Sequence, residues 1–351
     1  MSRSPHLAAL VAVICALAAA GCGGGGESAP DEVVLVTHDS FAVSKPVRRA
    51  FERRTGLKLR ILQAGDAGEA LNRALLTAGD PQGDVFFGVD DNLLSRALDE
   101  ELFVPYRSPE LQHVDRRFLL DDEHRVTPVD HGDVCLNFDR RWFTSRRIAP
   151  PRSFEDLALP PYGGLLVVEN PATSSPGLAF LLATVARFGE DGWQAYWRRL
   201  RANDVLVVDG WEEAYTARFS GSAGSKGKRP IVVSYASSPP AEVIFAGRPL
   251  REAPTAVVAS TCFRQVELAG ILAGARNEAG ARKLIDFMLS PAFQRDLAPS
   301  MFVFPVRRGV ELPPAFVRWA VVPKQPLRLS PEEIGQNRDR WIREWTDVVL
   351  R

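Results

Sequence analysis

Residues 33–63 read VVLVTHDSFAVSKPVRRAFERRTGLKLRILQ, and their pattern indicates the fold class. The apolar run at 33–36 predicts a short buried strand. Residues 46–54 are predicted to form a helix. It should end near Gly56, because glycine is favoured just after a helix C-terminus. Alternating apolar residues at 58–63 predict a second strand. Strand, helix and strand with short connections are typical of an α/β sheet, which we expect to be mainly parallel.

The same alternation continues along the rest of the chain. Helices are predicted at 70–78, 92–98, 178–187, 193–200, 212–219, 277–289 and 330–348, and strands at 84–89, 165–168, 205–208 and 231–234. We expect one lobe at 32–130, a second lobe at 131–263 with hinge crossings at both ends, and a return to the first lobe with C-terminal helices at 264–351. Two α/β lobes joined by crossing segments are the plan of a hinged binding protein.

The composition excludes several classes of protein. Of the 351 residues, 46% are hydrophobic and 25% are charged, which is ordinary for a soluble globular protein. The 43 basic and 43 acidic residues cancel, so no overall field indicates a nucleic acid or a membrane surface as partner. Beyond the N-terminus, no uninterrupted apolar stretch of about 18 residues predicts a transmembrane helix.

The N-terminus predicts export. The first 28 residues read MSRSPHLAALVAVICALAAAGCGGGGES. Arg3 precedes an apolar run at 7–20 that is too short to span a bilayer and is typical of a secretory signal peptide. We therefore expect residues 1–21 to be removed and residues 22–31 to form a flexible tether.

The end of this segment resembles a bacterial lipoprotein signal. Ala20 and Gly21 precede Cys22, as in that signal, whereas Ala19 stands where the usual pattern has Leu. The resemblance implies acylation of Cys22 and attachment to the cell membrane through the lipid, facing the extracytoplasmic or periplasmic side. A plain signal peptide that is cut nearby is the alternative.

The remaining cysteines suggest one disulfide. Of the four cysteines, Cys15 leaves with the signal and Cys22 carries the lipid. Cys135 and Cys262 remain in an exported, and therefore oxidising, setting. A disulfide between them is the preferred interpretation, and two buried thiols are the alternative.

Motifs for catalysis or metal binding are incomplete. The five histidines form no HExxH pair or other short metal-binding spacing. The chain also has no GxSxG nucleophile motif and no GxGxxG after a predicted strand. His38, Asp39 and Ser40 are triad residue types, but a triad is assembled in space and not by adjacency. The sequence therefore weighs against an enzyme and a metal centre.

Polar and aromatic clusters follow the ends of predicted strands, where ligands bind in open α/β sheets. They lie at 37–40, 65–67, 89–92, 170–177, 209–211 and 234–239. Carboxylates with Trp and Tyr suit an organic cation, because each ring attracts a cation by about 0.5–2 kcal/mol. Ser174, Ser175 and Gly177 at a helix start suit an anionic tail such as phosphate. Roles as helix caps or core anchors are the alternative for each cluster.

Ten short motifs stand in one order over nearly the whole exported chain. They are THDSF (37–41), GVDDNLL (88–94), PVDHG (128–132), NPATSSPGL (170–178), GWEEAY (210–215), SYASSP (234–239), QVE (265–267), FMLSPAF (287–293), FPV (304–306) and WIREW (341–345). In this order they resemble the bacterial thiamine-binding proteins, the extracytoplasmic subunits of thiamine ABC importers. The resemblance implies a two-lobed periplasmic-binding-protein fold, type II-like, with the ligand in the cleft between the lobes. It also places both later cysteines near the lobe crossings.

The clusters and the resemblance together give a set of expected ligand contacts. They are His38, Asp39, Asp66, Ala67, Asp90, Ser174, Ser175, Trp211, Tyr235, Ala236, Ser237, Ser238, Pro239 and Phe302. The three aspartates would balance the thiazolium charge, and Trp211 and Tyr235 would stack on the rings. The hydroxyls of Ser174, Ser175 and Ser238 would bond the hydroxyl or phosphate end.

Three positions depart from the family pattern. The family has tyrosine at His38 and Ala241, and tryptophan at Phe302. The aromatic cage is therefore thinner, and the choice among thiamine, thiamine monophosphate and thiamine diphosphate stays open. We expect no cofactor, a monomer, and a membrane permease driven by a cytoplasmic ATPase as partner.

Two kinds of alternative function remain. The chain could carry another ligand, namely ferric ion, a polyamine or a phosphonate, although ferric binders commonly use adjacent tyrosines and none of the five tyrosines here are adjacent. It could instead be an exported thiamine-degrading enzyme, for which Cys135 is the one loosely placed nucleophile. An apolar strand around Cys135 does not favour a reactive thiolate.

Overall fold

The computed structural model describes residues 31–351, so the expected signal peptide, Cys22 and nearly all of the tether lie outside the described residues. The strands are β1 (Glu32–Thr37), β2 (Lys58–Gln63), β3 (Val85–Asp90), β4 (Phe103–Val104), β5 (Thr127–Asp139), β6 (Leu166–Glu169), β7 (Leu206–Val208), β8 (Ile231–Tyr235), β9 (Thr255–Leu272) and β10 (Phe304–Pro305). The helices are α1 (Lys45–Thr55), α2 (Ala67–Leu76), α3 (Leu94–Asp99), α4 (Arg140–Arg146), α5 (Phe154–Leu157), α6 (Ser175–Phe188), α7 (Trp193–Ala202), α8 (Ser238–Phe245), α9 (Glu278–Met288), α10 (Pro291–Met301), α11 (Pro314–Trp319) and α12 (Pro331–Val349). None of the described helices is both long and apolar enough to cross a membrane.

All ten strands belong to one mixed sheet. Its order is β2-β1-β3-β9-β5-β8-β6-β7, with β10 on β5 and β4 on β9. β1 is parallel to β2 and β3, and β6 is parallel to β7 and β8. β5 and β9 are antiparallel to each other, and they run antiparallel to β8 and β3 respectively. The expectation of a mainly parallel sheet is therefore wrong at the centre of the sheet, where two long antiparallel strands lie between two parallel groups.

The two crossing strands, β5 and β9, are long enough to link the two parallel groups. β5 has 13 residues and β9 has 18. The C-terminal part of β9 pairs with β3, and the C-terminal part of β5 pairs with β8. We call β1–β3 with their helices the first half and β6–β8 with theirs the second half. β5 and β9 join the two halves.

The continuous apolar runs of β1 and β3 follow from burial on both faces. Val33 and Leu35 pack in one cluster with Phe51 of α1, while Val36 and Phe86 pack in another cluster on the opposite face. Strands covered by helices on both faces lose the alternation of polar and apolar residues. This is why four consecutive apolar residues at 33–36 predict β1 correctly.

In the second half, helix α6 is the central element. Its residues are buried from Ser175 through Val185, and α7 lies against it. The indole Nε1 of Trp197 in α7 donates to Oγ1 of Thr184 over 2.9 Å. The same ring meets Trp345 of α12 edge-on at 5.4 Å between centroids. The last helix therefore packs against the second half.

Cys135 of β5 and Cys262 of β9 form a disulfide, not two thiols. The pairing of the strands explains the location. Val134 pairs with Phe263 and Leu136 pairs with Val258, so β9 bulges between these pairs. The disulfide closes this bulge and ties together the two strands that join the halves.

Candidate functional site

A cleft of about 350 Å³ lies between the two halves. Its walls come from the segments that follow the carboxyl ends of β1, β2, β6, β7 and β8, with Glu267 of β9 also facing it. The volume lies within the range of about 300–1,000 Å³ that is usual for small-molecule sites. The cleft therefore lies at the ends of strands that the sequence indicates for ligand binding.

Many of the expected contacts line this cleft. They are His38, Asp66, Ala67, Ser175, Trp211, Tyr235, Ser238 and Phe302. Ala241, where the resemblance implies tyrosine, lines it too. Asp39, Asp90, Ser174, Ala236, Ser237 and Pro239 are not among the lining residues.

Asp90 and Ser174 support the cleft from behind. Asp90 is fully buried, and its carboxylate accepts hydrogen bonds from the hydroxyl of Ser175 and from Nε2 of Gln265. The backbone N–H groups of Asn92 and Leu93 also donate to it, each over 3.0 Å. Ser174 is the N-cap of α6. Asp90 and Ser174 therefore have structural roles, which were the alternative to direct contact with a ligand.

The remaining expected contacts that do not line the cleft lie next to residues that do. Asp39 is exposed, and its backbone N–H donates to the carbonyl of Gly65 over 2.9 Å. Ala236, Ser237 and Pro239 are buried in the turn from β8 into α8. They shape the backbone that presents Tyr235 and Ser238.

Asp66 connects the two walls of the cleft. It is the N-cap of α2, and its Oδ1 accepts from the backbone N–H of Ala67 over 2.6 Å. Its Oδ2 accepts from the backbone N–H of Trp211, in the second half, over 2.8 Å. Burial raises the pKa of Asp66 to about 6 in spite of these hydrogen bonds. A cation in the cleft would favour the ionised form.

An aromatic wall stands beside this carboxylate. The ring of Trp211 stacks on Tyr215 at 5.0 Å and 14°, and it lies 6.3 Å from Tyr235. Its Nε1 donates to Oγ of Ser234 over 2.9 Å, which fixes the indole. Oγ of Ser234 in turn lies 2.8 Å from Oγ of Ser238. The site thus presents rigid aromatic faces of the kind that attract organic cations.

Tyr215 is a lining residue that the sequence reasoning missed. It lies four residues after Trp211, in a wide helical turn at Glu213–Arg218. Spacing of four residues puts two side chains on one side of a helical turn, and this was the available signal. The Tyr215 hydroxyl donates to Oε1 of Glu242 over 2.7 Å, and the backbone N–H of Ala223 donates to Oε2 over 2.6 Å.

Glu267 lines the cleft and belongs to a group of buried acids, of which Asp130 lies outside the lining. Burial, together with the charges of Asp90 and Asp66, raises the pKa of Glu267 to about 7. Burial also raises the pKa of Asp130 well above its ordinary value, as does the charge of Glu267. Nε2 of His38 lies 3.5 Å from Oε1 of Glu267. Since burial lowers the pKa of His38 to about 4, the imidazole is neutral at pH 7 and does not balance the acids.

The mouth of the cleft is apolar. Phe302 ends α10 with a φ of 58° and stacks on Phe316 at 6.1 Å. Phe245, at the end of α8, lies 5.4 Å from Phe302 and is exposed. Gly132 of β5 lets Tyr235 approach, since a Cβ there would lie 2.8 Å from its Cδ1. The cleft therefore has a polar floor and an apolar rim.

The arrangement suits binding of a small organic cation. Acids, neutral hydroxyls and aromatic faces line it, and the described lining includes neither Lys nor Arg. Within residues 31–351, no three His, Cys, Asp or Glu side chains are grouped so that they could hold a metal ion. Stacking and charge neutralisation are the interactions that this cleft offers.

Comparisons with known proteins bear on this geometry. Residues 80–334 match the family model described as bacterial extracellular solute-binding protein. The chain is 30% identical to the thiamine-binding periplasmic protein of Salmonella typhimurium over 324 residues, which cover 91% of this chain and 94% of that one.

Solved structures extend the likeness. A periplasmic thiamin binding protein superposes with a TM-score of 0.80 at 28% identity, over 91% of this chain and 96% of that one. Iron-bound HitA from Pseudomonas aeruginosa superposes with a TM-score of 0.72 at 18% identity, over 91% and 99% of the two chains. At that identity the second likeness shows the fold alone. Together they confirm the two-lobed periplasmic-binding-protein fold.

Proposed function

The chain belongs to the bacterial extracellular solute-binding proteins, and we propose that it captures thiamine or one of its phosphate esters in the cleft between its halves. The observation that carries this proposal is the cleft itself, in which Trp211 and Tyr235 stand beside the carboxylate of Asp66. A thiazolium is a flat, permanent cation, so it gains from both features. The names of the relatives support the same ligand.

Binding would use each part of the cleft differently. Trp211 and Tyr235 stack on the rings of the ligand, and the carboxylates of Asp66 and Glu267 balance the positive charge. Because these acids are buried, their attraction for a cation is stronger than it would be in water. Asp39, Asp90 and Ser174 contribute through the elements that they hold in place.

We further assign to the protein a place in an ABC importer. The two halves close around the ligand, and the closed monomer delivers it to a membrane permease driven by a cytoplasmic ATPase. Family membership supports this partner. A lipid on Cys22 keeps the protein at the membrane, which Cys22→Ser and fractionation of membranes tests. Release of the variant into the soluble exported fraction supports the anchor, and unchanged membrane retention contradicts it.

No chemical step on the ligand forms part of this proposal. The relatives are named as binding proteins. A thiamine-degrading enzyme would use a nucleophile such as a cysteine in the cleft. Cys135 and Cys262 are joined in a disulfide and do not line the cleft. Incubation with thiamine should therefore yield no pyrimidine product.

The second candidate function is polyamine binding. It is favoured by the number of carboxylates in the cleft, since a polyamine carries several positive charges and Asp66, Glu212, Glu242 and Glu267 all line the walls. Calorimetry with thiamine, its two phosphate esters and spermidine separates the candidates. Heat with a thiamine form supports the proposal. Heat with spermidine and none with any thiamine form contradicts it.

A further inference from the structure

Helix α8 presents one face to the cleft along its whole length. Ser238, Ala241, Glu242 and Phe245 all line the cleft. They follow one another at the spacing that puts residues on one side of a helix. Ser238 and Glu242 are buried, whereas Phe245 is 62% exposed. α8 therefore leads from the interior of the cleft to its mouth, and Phe245 is the last side chain on that face.

Phe245 meets a second lining residue at the mouth. A single exposed apolar side chain is ordinary at a protein surface, so exposure alone gives Phe245 no role. Its ring, however, lies 5.4 Å from that of Phe302, with an angle of 63° between the two planes. Phe302 lines the cleft as well. The two rings meet edge to face, which is a favoured geometry for an aromatic pair.

The two rings come from different halves of the protein. Phe302 ends α10, which packs against α1 and α9 of the first half. Oδ2 of Asp296 in α10 accepts from the backbone N–H of Ser44, just before α1, over 2.8 Å. Phe245 ends α8, which follows β8 in the second half. The ring pair therefore spans the mouth of the cleft from one half to the other.

Phe302 is the fixed member of the pair. Its φ of 58° is a left-handed conformation that a bulky residue rarely adopts and that persists only where the surroundings hold it. Its ring stacks on Phe316, which is 1% exposed. Phe245 instead stands at the exposed end of α8, followed by the exposed residues 247–249. The position of the Phe245 ring therefore depends on α8, whereas Phe302 offers it a constant surface.

The two rings are too close to hold a ring of the ligand between them. A ring that stacks on both would need about 7 Å, twice the contact distance of about 3.5 Å between carbon atoms. The centroids are 5.4 Å apart. The pair is therefore suited to cover a ligand that lies deeper in the cleft, and not to clamp one.

We propose that Phe245 retains the ligand, by forming with Phe302 an aromatic cover over the bound organic cation. This inference rests on the proposed function, because it takes thiamine as the cation. A covered cleft excludes water, and exclusion of water strengthens the attraction of the carboxylates of Asp66 and Glu267 for the cation. Phe245 must part from Phe302 before the ligand leaves. The cover therefore acts on the rate of dissociation.

Dissociation of radiolabelled thiamine from the purified protein, followed after a chase with excess unlabelled thiamine, tests the inference. Phe245→Ala should raise the dissociation rate constant by about tenfold or more. The association rate constant, obtained by combining this rate with the Kd from calorimetry, should change by less than about threefold. Phe245→Tyr keeps the ring and should restore slow dissociation. Leu76→Ala is the matched control, since Leu76 is 87% exposed and lies outside the lining.

The outcomes separate the inference from the proposed function. An unchanged dissociation rate in Phe245→Ala, with thiamine bound by the wild type, overturns the inference and leaves the proposed function standing. Equally faster dissociation from Leu76→Ala would also overturn it, because the effect would not belong to the mouth. No binding of thiamine to the wild type refutes the proposed function and the inference with it.

A double variant tests the pairing of the two rings. Phe302→Leu removes the ring of the first half and keeps an apolar side chain against Phe316. If the rings form one cover, Phe245→Ala/Phe302→Leu should release thiamine no faster than the faster single variant, because either change already breaks the contact. A rate that rises by the product of the two single effects would show that the rings act independently, and it would overturn the cover.

Discussion

The backbone N–H of Trp211 donates to Oδ2 of Asp66 over 2.8 Å, across the cleft that separates the two halves. The residues are 145 positions apart in the chain. Gly210 permits this approach, since a Cβ there would lie 3.1 Å from the same oxygen. One carboxylate therefore caps α2, holds the backbone before the aromatic wall, and supplies negative charge to the ligand.

Asp66→Asn should weaken thiamine binding by about tenfold or more, because the amide keeps one acceptor oxygen but loses the charge that favours a cation. Calorimetry at pH 7.5 measures the change. Asp115→Asn is the matched control, since Asp115 accepts from the backbone N–H of Arg117 and does not line the cleft. Unchanged thiamine affinity in Asp66→Asn would remove its charge from the binding argument.

Trp211→Ala should reduce thiamine affinity by roughly tenfold, equivalent to about 1.4 kcal/mol, because the stacking face is lost. Trp211→Phe should retain part of the thiamine affinity that Trp211→Ala loses. Trp142→Ala is the control, because Trp142 is also partly buried but lies on α4, outside the lining. Circular dichroism checks that each variant folds. Equal affinities of wild type and Trp211→Ala would exclude this ring from the ligand.

The sequence predicts those parts of the fold and the site that depend on local pattern. β2 begins and ends at the predicted residues, because alternation at 58–63 is a local property. Asp66, Ser175 and Trp211 line the cleft because they follow strand ends, and strand ends show in the pattern. The central antiparallel pair was not predictable in this way, because the direction of a strand depends on the path of the chain through the whole sheet.

Side chains whose direction depends on distant contacts were missed or misplaced. Glu267 reaches the cleft from the C-terminal part of β9, where its register against Asp130 sets the direction of its side chain. Glu242 is placed by the bond from Tyr215, 27 residues earlier. Asp90 turns inward because Gln265, 175 residues later, donates to it. None of these partners can be read from the neighbouring sequence.

Thiamine affinity should fall as the pH decreases below about 7. Burial raises the pKa of Glu267 to about 7 and that of Asp66 to about 6. A cation favours the ionised forms, so binding releases protons, and affinity is lost as these groups protonate. The groups that face Glu267 are Asp130, Asp90, Asp66 and the neutral His38. The loss should approach about tenfold per pH unit for each proton released.

Calorimetry from pH 8.5 to 5.5 in buffers of different ionisation enthalpy measures both the affinity and the proton release. Glu267→Gln should flatten the slope near pH 7, because the variant has no proton to release at that position. An affinity that is constant over the range, with no proton release, would contradict the prediction.

Removal of the disulfide should lower stability without changing the ligand preference. Cys135 and Cys262 enclose a long loop, with a sequence separation of 127, and do not line the cleft. Loss of a native disulfide typically costs about 2–5 kcal/mol. We therefore expect Cys135→Ala/Cys262→Ala to unfold at lower denaturant concentration, while the thiamine Kd changes less than about twofold. Equal midpoints for oxidised wild type and variant would show that the crosslink adds no stability.

Glu169→Gln should make the protein more stable at alkaline pH. The Glu169 side chain at the end of β6 is 1% exposed, and its carboxyl oxygens have no hydrogen-bond partner elsewhere in residues 31–351. Burial raises the pKa of this carboxyl well above its ordinary value, and the charge of Asp66 adds to the effect.

The sign of the pH dependence follows from these pKa values. Between the ordinary glutamate pKa and the raised value, the folded protein keeps a proton that the unfolded chain has lost. In this range the Glu169 carboxyl lowers the free energy of unfolding of the wild type by about 1.4 kcal/mol for each unit that the pH rises. Glu169→Gln removes that loss, so the variant should gain stability over wild type from pH 5 to pH 8. Urea unfolding at both pH values measures the gain. Glu100→Gln is the control, since Glu100 is exposed, and it should show no such gain. If Glu169→Gln gains no stability over wild type between the two pH values, Glu169 is already ionised in the folded protein.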